Sequence, residues 1–157
     1  MCGTSRRWAS DFPFRVHIRP FQVPDEAAVI ELWRACELVR PVNDPARDIR
    51  RKLRVNPEWF LVGTRNGKII AAVMAGYEGH RGWINYLAVH PEQRLQGYGR
   101  QIMAEVEKLL RAAGCPKINL QVRTGNRAVL EFYRRIGYGI DEVISLGKRL
   151  ERDEQTL

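Results

Sequence analysis

The amino-acid sequence predicts an α/β (α+β) domain, in which a mixed central β-sheet of six to seven strands carries helices on both faces. The strands in the first half of the chain are joined by hairpins, and Asn66-Gly67 is a strong hairpin signal. A long amphipathic helix then separates two later strands, which implies a right-handed parallel crossover. The chain has 157 residues, 45% of them hydrophobic, which is enough for one domain with one core. No internal repeat or second domain is indicated.

Periodicity and turn residues place the individual elements. Apolar residues at alternate positions predict strands, apolar residues at helical spacing predict helices, and Pro, Gly and Asn mark the ends. In the first half of the chain, we expect a strand at 16–19, a helix from its cap Asp25 to about Val39, a helix ending near Leu53, and strands at 59–62, 69–74 and 83–89. In the second half, we expect a helix from Gly99 to Gly114, a strand at 117–122, a helix from its cap Asn126 to Gly137, and a last strand at 138–146. We expect residues 1–14 to be a flexible extension and residues 151–157 a charged, frayed tail.

A glycine-rich turn, Arg94-Leu95-Gln96-Gly97-Tyr98-Gly99, connects the strand at 83–89 to the long helix. Glycine lets the backbone turn tightly and approach a ligand closely. The helix adds unpaired N–H groups and the positive end of its dipole, which suits a phosphate or pyrophosphate. Arg100-Gln101 follows where a Walker sequence needs Lys-Ser/Thr, and the dinucleotide fingerprint has a different spacing. An ordinary strand-to-helix turn is the alternative for two isolated glycines.

The overall charge favours an anionic ligand without identifying it. The 26 basic and 18 acidic residues give a formal charge of +8, but no basic run is as dense as a nucleic-acid tail. Cys2, Cys36 and Cys115 show no metal-binding spacing, so we expect no metal, no disulfide and a cytoplasmic location. Neither a membrane-spanning segment nor a secretory signal is indicated, and we expect no membrane partner.

Two motifs resemble those of the GNAT N-acetyltransferase superfamily. Residues 85–110 resemble its acetyl-CoA-binding motif: an apolar strand, His-Pro-Glu, Arg/Gln-x-x-Gly-x-Gly/Ala, and a helix. Downstream, Asn126-x-x-Ala128-x-x-Phe132-Tyr133-x-x-x-Gly137-Tyr138 resembles the second half of the same site. Weaker similarity extends over about residues 15–150, where the chain looks like the bacterial YpeA-type acetyltransferases. The resemblance implies a single GNAT domain at 15–150 with acetyl-CoA as co-substrate.

The resemblance also implies how that co-substrate is held. Backbone N–H groups of the turn and of the following Arg100 bind the diphosphate. The main chain of Leu87, Ala88 and Val89 pairs with the peptide-like pantetheine arm as an added strand would. The family uses a backbone N–H at the Val89 position to polarise the thioester carbonyl. The side chains of Leu87 and Val89 are themselves expected to be core.

Asn126 and Tyr133 are the candidate side chains from the second motif. They are seven residues apart, so both project from one helical face. The resemblance implies that Asn126 reaches the pantetheine arm and that Tyr133 is the general acid for the departing thiolate. A helix cap for Asn126 and a core aromatic for Tyr133 are the alternatives.

The chain departs from the family's pattern at the general base. Many family members carry a Glu on the strand that here offers Trp83, Asn85 and Tyr86. Glu78 and His80, in the preceding loop, are the nearest substitutes, although each also suits a solvated loop position. His90 reads as structural because it precedes Pro91 in the turn.

We therefore expect an N-acetyltransferase that transfers an acetyl group from acetyl-CoA to a primary amine by direct attack. The turn between the first two helices, with Arg40, Asn43 and Asp44, is expected to line the acceptor site, although plain turn chemistry also explains Asn43 and Asp44. A non-catalytic acyl-CoA-binding or sensing module is the alternative, and a specific nucleic-acid binder is a weaker one. The acceptor is not identified, and a homodimer is left open.

Overall fold

The computed structural model describes residues 14–153, and a five-stranded sheet forms its centre. The elements in chain order are β1 (His17–Pro20), α1 (Glu26–Ala35), α2 (Pro45–Lys52), β2 (Phe60–Arg65), β3 (Lys68–Tyr77), β4 (Gly82–Val89), α3 (Tyr98–Ala112), β5 (Ile118–Leu120) and α4 (Arg127–Arg135). Short 3-10 turns occupy Val23–Asp25, Pro57–Trp59 and Pro91–Gln93. The predicted extension at residues 1–14 lies, apart from Phe14, outside the described residues.

The sheet is mixed, as the sequence predicts. Its strands lie in the order β1-β2-β3-β4-β5, antiparallel as far as β4, whereas β5 is parallel to β4. The predicted hairpin joins β2 to β3, and both of its turn residues have positive φ, 51° at Asn66 and 74° at Gly67. Asn and Gly tolerate that conformation, which explains why this dipeptide sets the turn.

Two apolar clusters cover the two faces of the sheet. Alternate residues of β2 point to opposite faces, so Phe60 packs with Trp33 of α1 and Ile49 of α2. Leu61, next along the strand, joins the cluster formed with α3 and α4. Burying an aliphatic or aromatic side chain of this size contributes about 1.5–3 kcal/mol. Helices on both faces, as predicted, follow from this alternation.

The predicted last strand at 138–146 is wrong, and the described sheet has five strands instead of six to seven. Residues 138–150 belong to none of its strands, and most of their large apolar side chains are exposed. Tyr138 is half-buried and is the exception. An alternating sequence favours an extended backbone, but a strand forms only where a neighbouring backbone supplies hydrogen bonds.

The first helix begins directly after Asp25, as predicted, but it differs from the prediction in its side-chain cap and in its end. The Asp25 carboxylate does not cap it, because it accepts hydrogen bonds from Arg19, at 2.7 Å, and from the Gln22 N–H, at 2.8 Å. The helix ends at Ala35, well before Val39, since Glu37 adopts a left-handed φ of 57°. The predicted cap of α4 is confirmed, because Asn126 accepts from the Val129 N–H. Asp44, which the sequence placed only in a turn, caps α2 by accepting from the Arg47 N–H.

The end of the described chain is anchored to α2. Asp153 is only 7% exposed, and its carboxylate accepts hydrogen bonds from Arg51, at 2.6 and 3.0 Å, and from the Asp44 N–H, at 3.1 Å. The predicted fraying of the C-terminal tail therefore does not apply to residues 151–153. Residues 154–157 of the predicted tail lie outside the described residues.

Candidate active site

The glycine-rich turn has the geometry of a helix N-terminus that is open to a ligand. After the 3-10 turn at Pro91–Gln93, Arg94 is extended, Leu95 has a φ of 62° with a fully exposed side chain, and Gly97 precedes α3 with a φ of 83°. The Gln101 N–H donates to the Gly97 carbonyl at 3.0 Å, which closes the first helical turn. In a helix the first N–H groups, here those of Tyr98 and Gly99, point away from the helix body, where an anion can bind them.

Gly97 and Gly99 are glycines for different reasons. At Gly97 the positive φ would strain any residue with a side chain. At Gly99 the φ is ordinary, but an added Cβ would lie 3.1 Å from the Phe132 ring and 3.5 Å from the Val89 side chain. Gly99 therefore lets α4 pack closely against the start of α3, and only Gly97 is required by the turn itself.

The other named residues of the turn divide into exposed and buried side chains. Tyr98 is 1% exposed, and its hydroxyl accepts a 2.7 Å hydrogen bond from Arg65 and donates to Gln96 at 3.3 Å. These contacts fix the turn against β2 from inside. Arg100 and Leu95 are exposed. Of these residues, the side chains of Tyr98 and Gln96 hold the turn in place.

The outer edge of β4 is open at its carboxyl end. β5 pairs with β4 only from Gly82 to Ile84, so no described strand pairs with that edge at residues 85–89. The His90 N–H donates to the Ile70 carbonyl at 2.8 Å. This bond lies next to the Val89–Ala71 pair, and pairs with and without hydrogen bonds alternate along antiparallel strands. Val89 therefore points its own N–H and C=O away from β3 and toward the open edge.

Two side chains bind the carbonyl of Val89, whereas no described strand pairs with its N–H. The carbonyl accepts hydrogen bonds from the Cys36 thiol and from Arg94 Nε, both at 3.3 Å. Burial raises the pKa of the Cys36 thiol, which supports the structural role that the sequence suggests for this half-buried residue. These two donors hold the Val89 carbonyl in position, and the direction of the Val89 N–H is thereby fixed as well.

A β-bulge interrupts β4 just before this edge. Ala88 pairs with Ala72 and Asn85 with Met74, so two residues of β4, Tyr86 and Leu87, face a single residue of β3. Tyr86 has a φ of 52°, an uncommon conformation for a residue with a large side chain. Bulges of this kind redirect side chains and are frequent beside active sites.

The bulge directs Tyr86 toward α1 and α2. Its ring stacks on Trp33, with 4.1 Å between ring centroids, and its hydroxyl donates a 2.7 Å hydrogen bond to Asp48. Burial, and then the Asp48 carboxylate, raise the pKa of the Tyr86 phenol. Asp48 also accepts from Arg51 at 3.0 Å. Sequence reasoning assigned neither Asp48 nor the Tyr86 hydroxyl to the site, because no spacing signal connects α2 to β4.

Tyr133 lies on the opposite face of the sheet. It is 6% exposed, and its ring meets Phe132 and Tyr138 edge-on at centroid distances of 5.1 and 5.5 Å. Burial raises the pKa of its phenol. Leu87 and Val89 pack against the same apolar cluster, so Tyr133 and the open edge of β4 border one region. Asn126 is exposed and caps α4.

Glu78 and His80 lie at the far end of β4 from the glycine-rich turn. Both are exposed, and the Glu78 carboxylate accepts a hydrogen bond from the Arg81 N–H. They precede Gly82, and the seven residue steps from Gly82 to Val89 correspond to roughly 20 Å of strand. His90 Nδ1 accepts from the Glu92 N–H at 3.3 Å, in keeping with the structural role expected of it.

The turn between α1 and α2 meets the C-terminal part of the chain. Asn43 Oδ1 accepts a 3.2 Å hydrogen bond from Arg149, and Asp44 caps α2, while Arg40 is exposed. A cavity of about 680 Å³ adjoins this region, lined by Arg51, Gly147, Lys148, Arg149, Leu150, Glu151 and Asp153. It lies on the α2 side of the sheet, where Tyr86 and Asp48 meet.

Within residues 14–153 the structure contains no cluster of three or more side chains suited to a metal ion. Cys36 and Cys115 both carry free thiols. No helix in the same range is long and apolar enough to cross a membrane.

A mixed sheet whose fourth strand opens beside a glycine-rich helix start defines a class of acyl-group transferases, and comparison with known proteins gives the family. The sequence profile of the acetyltransferase (GNAT) family matches residues 26–138. An acetyltransferase of Yersinia pestis (strain Pestoides F) is 48% identical over 140 residues, which are 89% of this chain and 99% of that protein. The chain belongs to the GNAT acetyltransferase family.

Solved structures agree with this fold. Ard1 from Thermoplasma volcanium superposes with a TM-score of 0.69 at 24% identity, covering 80% of this chain and 84% of that one. The enzyme AAC(6')-Iy, solved in complex with the bisubstrate analog CoA-S-monomethyl-acetylneamine, superposes with a TM-score of 0.72 at 17% identity, covering 87% and 99%. At these identities the likeness concerns the fold alone.

Proposed function

We propose that this acetyltransferase uses acetyl-CoA to acetylate a primary amine by direct attack, without a covalent enzyme intermediate. The observation that carries the proposal is the direction of the Val89 N–H, toward the unpaired edge of β4 and next to the glycine-rich turn. A peptide-like pantetheine arm added to that edge would place its thioester near this donor. The bisubstrate complex of the structural neighbour AAC(6')-Iy supports the same ligand class.

The backbone supplies the hold and the polarisation. N–H groups of residues 95–100 bind the diphosphate at the start of α3, and exposed Asn126 contacts the arm from α4. The Val89 N–H donates to the thioester carbonyl oxygen, which gains negative charge as the amine attacks. A fixed donor of this kind contributes roughly 3 kcal/mol to the barrier reduction.

The transfer needs one base and one acid. The amine nitrogen attacks the carbonyl carbon and forms the N–C bond, and the base takes one proton from that nitrogen. The C–S bond breaks, and sulfur leaves with the bonding electrons. Tyr133 donates its phenolic proton to that sulfur. Burial keeps the Tyr133 phenol protonated at neutral pH, and the same apolar surroundings raise the proton affinity of the departing thiolate.

For the base we propose Asp48, acting next to Tyr86. The bulge of β4 brings the Tyr86 hydroxyl to this carboxylate on α2, and the preceding α1–α2 turn offers Arg40, Asn43 and Asp44 as acceptor-site residues. Glu78 and His80 are the alternative base, although the strand separates them from Val89 by roughly 20 Å. We also propose the cytoplasm as the location, in keeping with the free thiols of Cys36 and Cys115.

Calorimetric titration with acetyl-CoA, followed by an assay of free CoA release with a panel of amines, tests the proposal. We expect binding, release that depends on the amine, and a product whose mass increases by one acetyl group. Binding without release for any amine would instead favour the acyl-CoA-binding or sensing module. Absence of acetyl-CoA binding by the folded protein would overturn the proposal.

The base is tested by steady-state kinetics of Asp48→Asn, Glu78→Gln and His80→Ala with one amine substrate. We expect kcat to fall about a hundredfold or more in Asp48→Asn alone, with acetyl-CoA affinity unchanged. If Glu78→Gln or His80→Ala lowers kcat in this way and Asp48→Asn does not, the assignment to Asp48 is wrong.

A further inference from the structure

The cavity beside the turn between α1 and α2 holds more positive charge than its carboxylates balance. Three cations and two carboxylates line it. Both carboxylates, those of Glu151 and Asp153, pair with Arg51, at 3.6 and 2.6 Å. Lys148 and Arg149 pair with no carboxylate in the part of the chain that the structure describes. The cavity therefore offers two uncompensated cations to a ligand, and this charge favours an anionic one.

The guanidinium of Arg149 is fixed in position without a partner that neutralises it. It donates to the Val42 carbonyl at 3.1 Å and to Asn43 Oδ1 at 3.2 Å, and both acceptors are uncharged. The residue is also exposed, so a ligand can reach it. A guanidinium has five N–H donors in a planar fork, and a carboxylate can accept two parallel hydrogen bonds from it. Arg149 thus retains donors with which to hold the carboxylate of a small molecule.

Arg149 lies close to the proposed base. The Asn43 amide that accepts from Arg149 is also within hydrogen-bonding reach of the Tyr86 hydroxyl. That hydroxyl donates to Asp48 at 2.7 Å. One amide and one hydroxyl therefore connect the guanidinium to the Asp48 carboxylate. A molecule that contacts both charged groups at once must carry its amine and its anionic group only a few bonds apart.

Asp48 keeps room for such an amine. A carboxylate has about four acceptor positions, and the bonds from Tyr86 and Arg51 use two of them. The residue is half-buried and is not enclosed by its partners. An amino group placed beside it can therefore donate to a remaining position, which is the geometry that proton removal requires.

We propose that the acceptor is a free amino acid, whose carboxylate binds Arg149 while its amino group lies beside Asp48. This inference rests on the proposed function, since it assigns the substrate of the same acceptor site. A single carbon separates the amine from the carboxylate in an α-amino acid, which meets the spacing requirement. A polyamine or a lysine side chain of a protein has no anion beside its amine, and its positive charge is repelled by Lys148 and Arg149.

Pairs of amines that differ only in the carboxylate test the substrate class. Release of free CoA from acetyl-CoA is measured with each common amino acid, with its α-amide, with its decarboxylated amine and with its aminophosphonate analogue. Spermidine and a lysine-containing peptide are the cationic acceptors. A site built for a charged group strongly rejects an analogue that lacks it. We expect kcat/KM for the preferred amino acid to exceed that for its amide and its decarboxylated amine about a hundredfold or more.

The outcomes separate this inference from the proposed function. If the best acceptor lacks an anionic group, the amino-acid assignment is wrong, while amine-dependent release of CoA still supports the proposed function. A preference for the aminophosphonate would replace the carboxylate by a phosphate-like group and overturn the assignment as well. If acetyl-CoA binds and no amine gives release, the proposed function fails, and the inference fails with it.

Substitution of Arg149 tests its role in recognition. Arg149→Gln is expected to raise KM for the preferred amino acid about tenfold or more and to leave acetyl-CoA affinity unchanged. Arg149→Lys keeps the charge but not the planar fork, so it is expected to restore only part of the affinity. Arg50→Gln is the matched control, because it removes one exposed arginine of α2 that does not line the cavity. Its KM is expected to match that of the wild-type enzyme.

A purely structural role of Arg149 gives a different result. Its bonds to Val42 and Asn43 also attach the chain to the α1–α2 turn, so loss of structure would weaken the amino acid and its amide equally. Recognition of the carboxylate instead predicts that Arg149→Gln lowers the preference for the acid over the amide about tenfold. An unchanged preference would overturn the role of Arg149. Circular dichroism verifies folding, and Lys148→Gln, expected to lower the same preference, decides the question if Arg149→Gln does not fold.

Discussion

The Tyr86 hydroxyl donates a 2.7 Å hydrogen bond to Asp48, and this bond joins the bulge of β4 to α2 on the face of the sheet that α1 and α2 cover. Trp33 stacks on the Tyr86 ring and holds it in place, so the bond depends on three elements that are far apart in sequence. The positive φ of Tyr86 is a strained conformation, and such strain persists only where the surroundings fix it.

Removing either end of this bond is expected to weaken acetyl transfer, Asp48→Asn by removing the proposed base and Tyr86→Phe by removing the hydrogen bond that positions it. Tyr86→Phe keeps the stacking on Trp33, and Asp48→Asn keeps the shape of α2, so a double-mutant cycle measures how far the effect of the Tyr86 hydroxyl depends on the Asp48 carboxylate. We expect a coupling of about 1 kcal/mol in kcat/KM for the amine, with no change in acetyl-CoA affinity. Fully additive effects would show that the two residues act independently.

Tyr133→Phe is expected to lower kcat about a hundredfold, because the departing thiolate loses its proton donor. The substitution keeps the ring contacts with Phe132 and Tyr138, so acetyl-CoA affinity and stability are expected to stay the same. Burial raises the pKa of the phenol, and the neutral, proton-donating form therefore persists above pH 10. The wild-type profile should show no loss of activity from this group up to that pH. An active Tyr133→Phe enzyme with unaltered kcat would remove Tyr133 from the mechanism.

Gly97→Ala is expected to weaken acetyl-CoA binding at least tenfold, measured by calorimetry. The added Cβ strains the left-handed backbone by about 1–3 kcal/mol and turns the N–H groups of the site out of position. Gly67→Ala is the matched control, since Gly67 has a similar φ of 74° in the hairpin, away from the turn. It should lose comparable stability and keep its affinity. Equal loss of affinity in both variants would argue against a site at Gly97.

Asp153→Asn is expected to destabilise the protein in a pH-dependent way. The Arg51 guanidinium holds the pKa of the Asp153 carboxyl well below its usual value. Because the folded-state pKa is depressed, the stabilisation is complete above the unfolded value of about 3.9 and is lost as the pH falls through the lower folded value. Urea unfolding of both proteins should therefore differ most above about pH 4 and converge in acid. A constant difference at every pH would point to packing and not to charge.

Periodicity and turn residues determined the strands β1 to β5, the four helices, the Asn66-Gly67 hairpin, the cap Asn126 and the glycine-rich turn. These features depend on the local backbone preferences of the residues and on the one buried face of each element, and both can be read from the sequence. The two motifs likewise identified the family, because glycine and polar residues in that order suit one kind of turn and helix start.

Tertiary structure alone decided the rest. Whether residues 138–146 form a strand depends on a neighbouring backbone, and whether Glu78 or Asp48 lies near the site depends on how α2 packs over β4. The direction of the Val89 N–H also depends on the tertiary structure, because the pairing of Val89 with Ala71 fixes it. Such features arise from hydrogen bonds and contacts between distant segments, and no local pattern in the chain encodes their geometry.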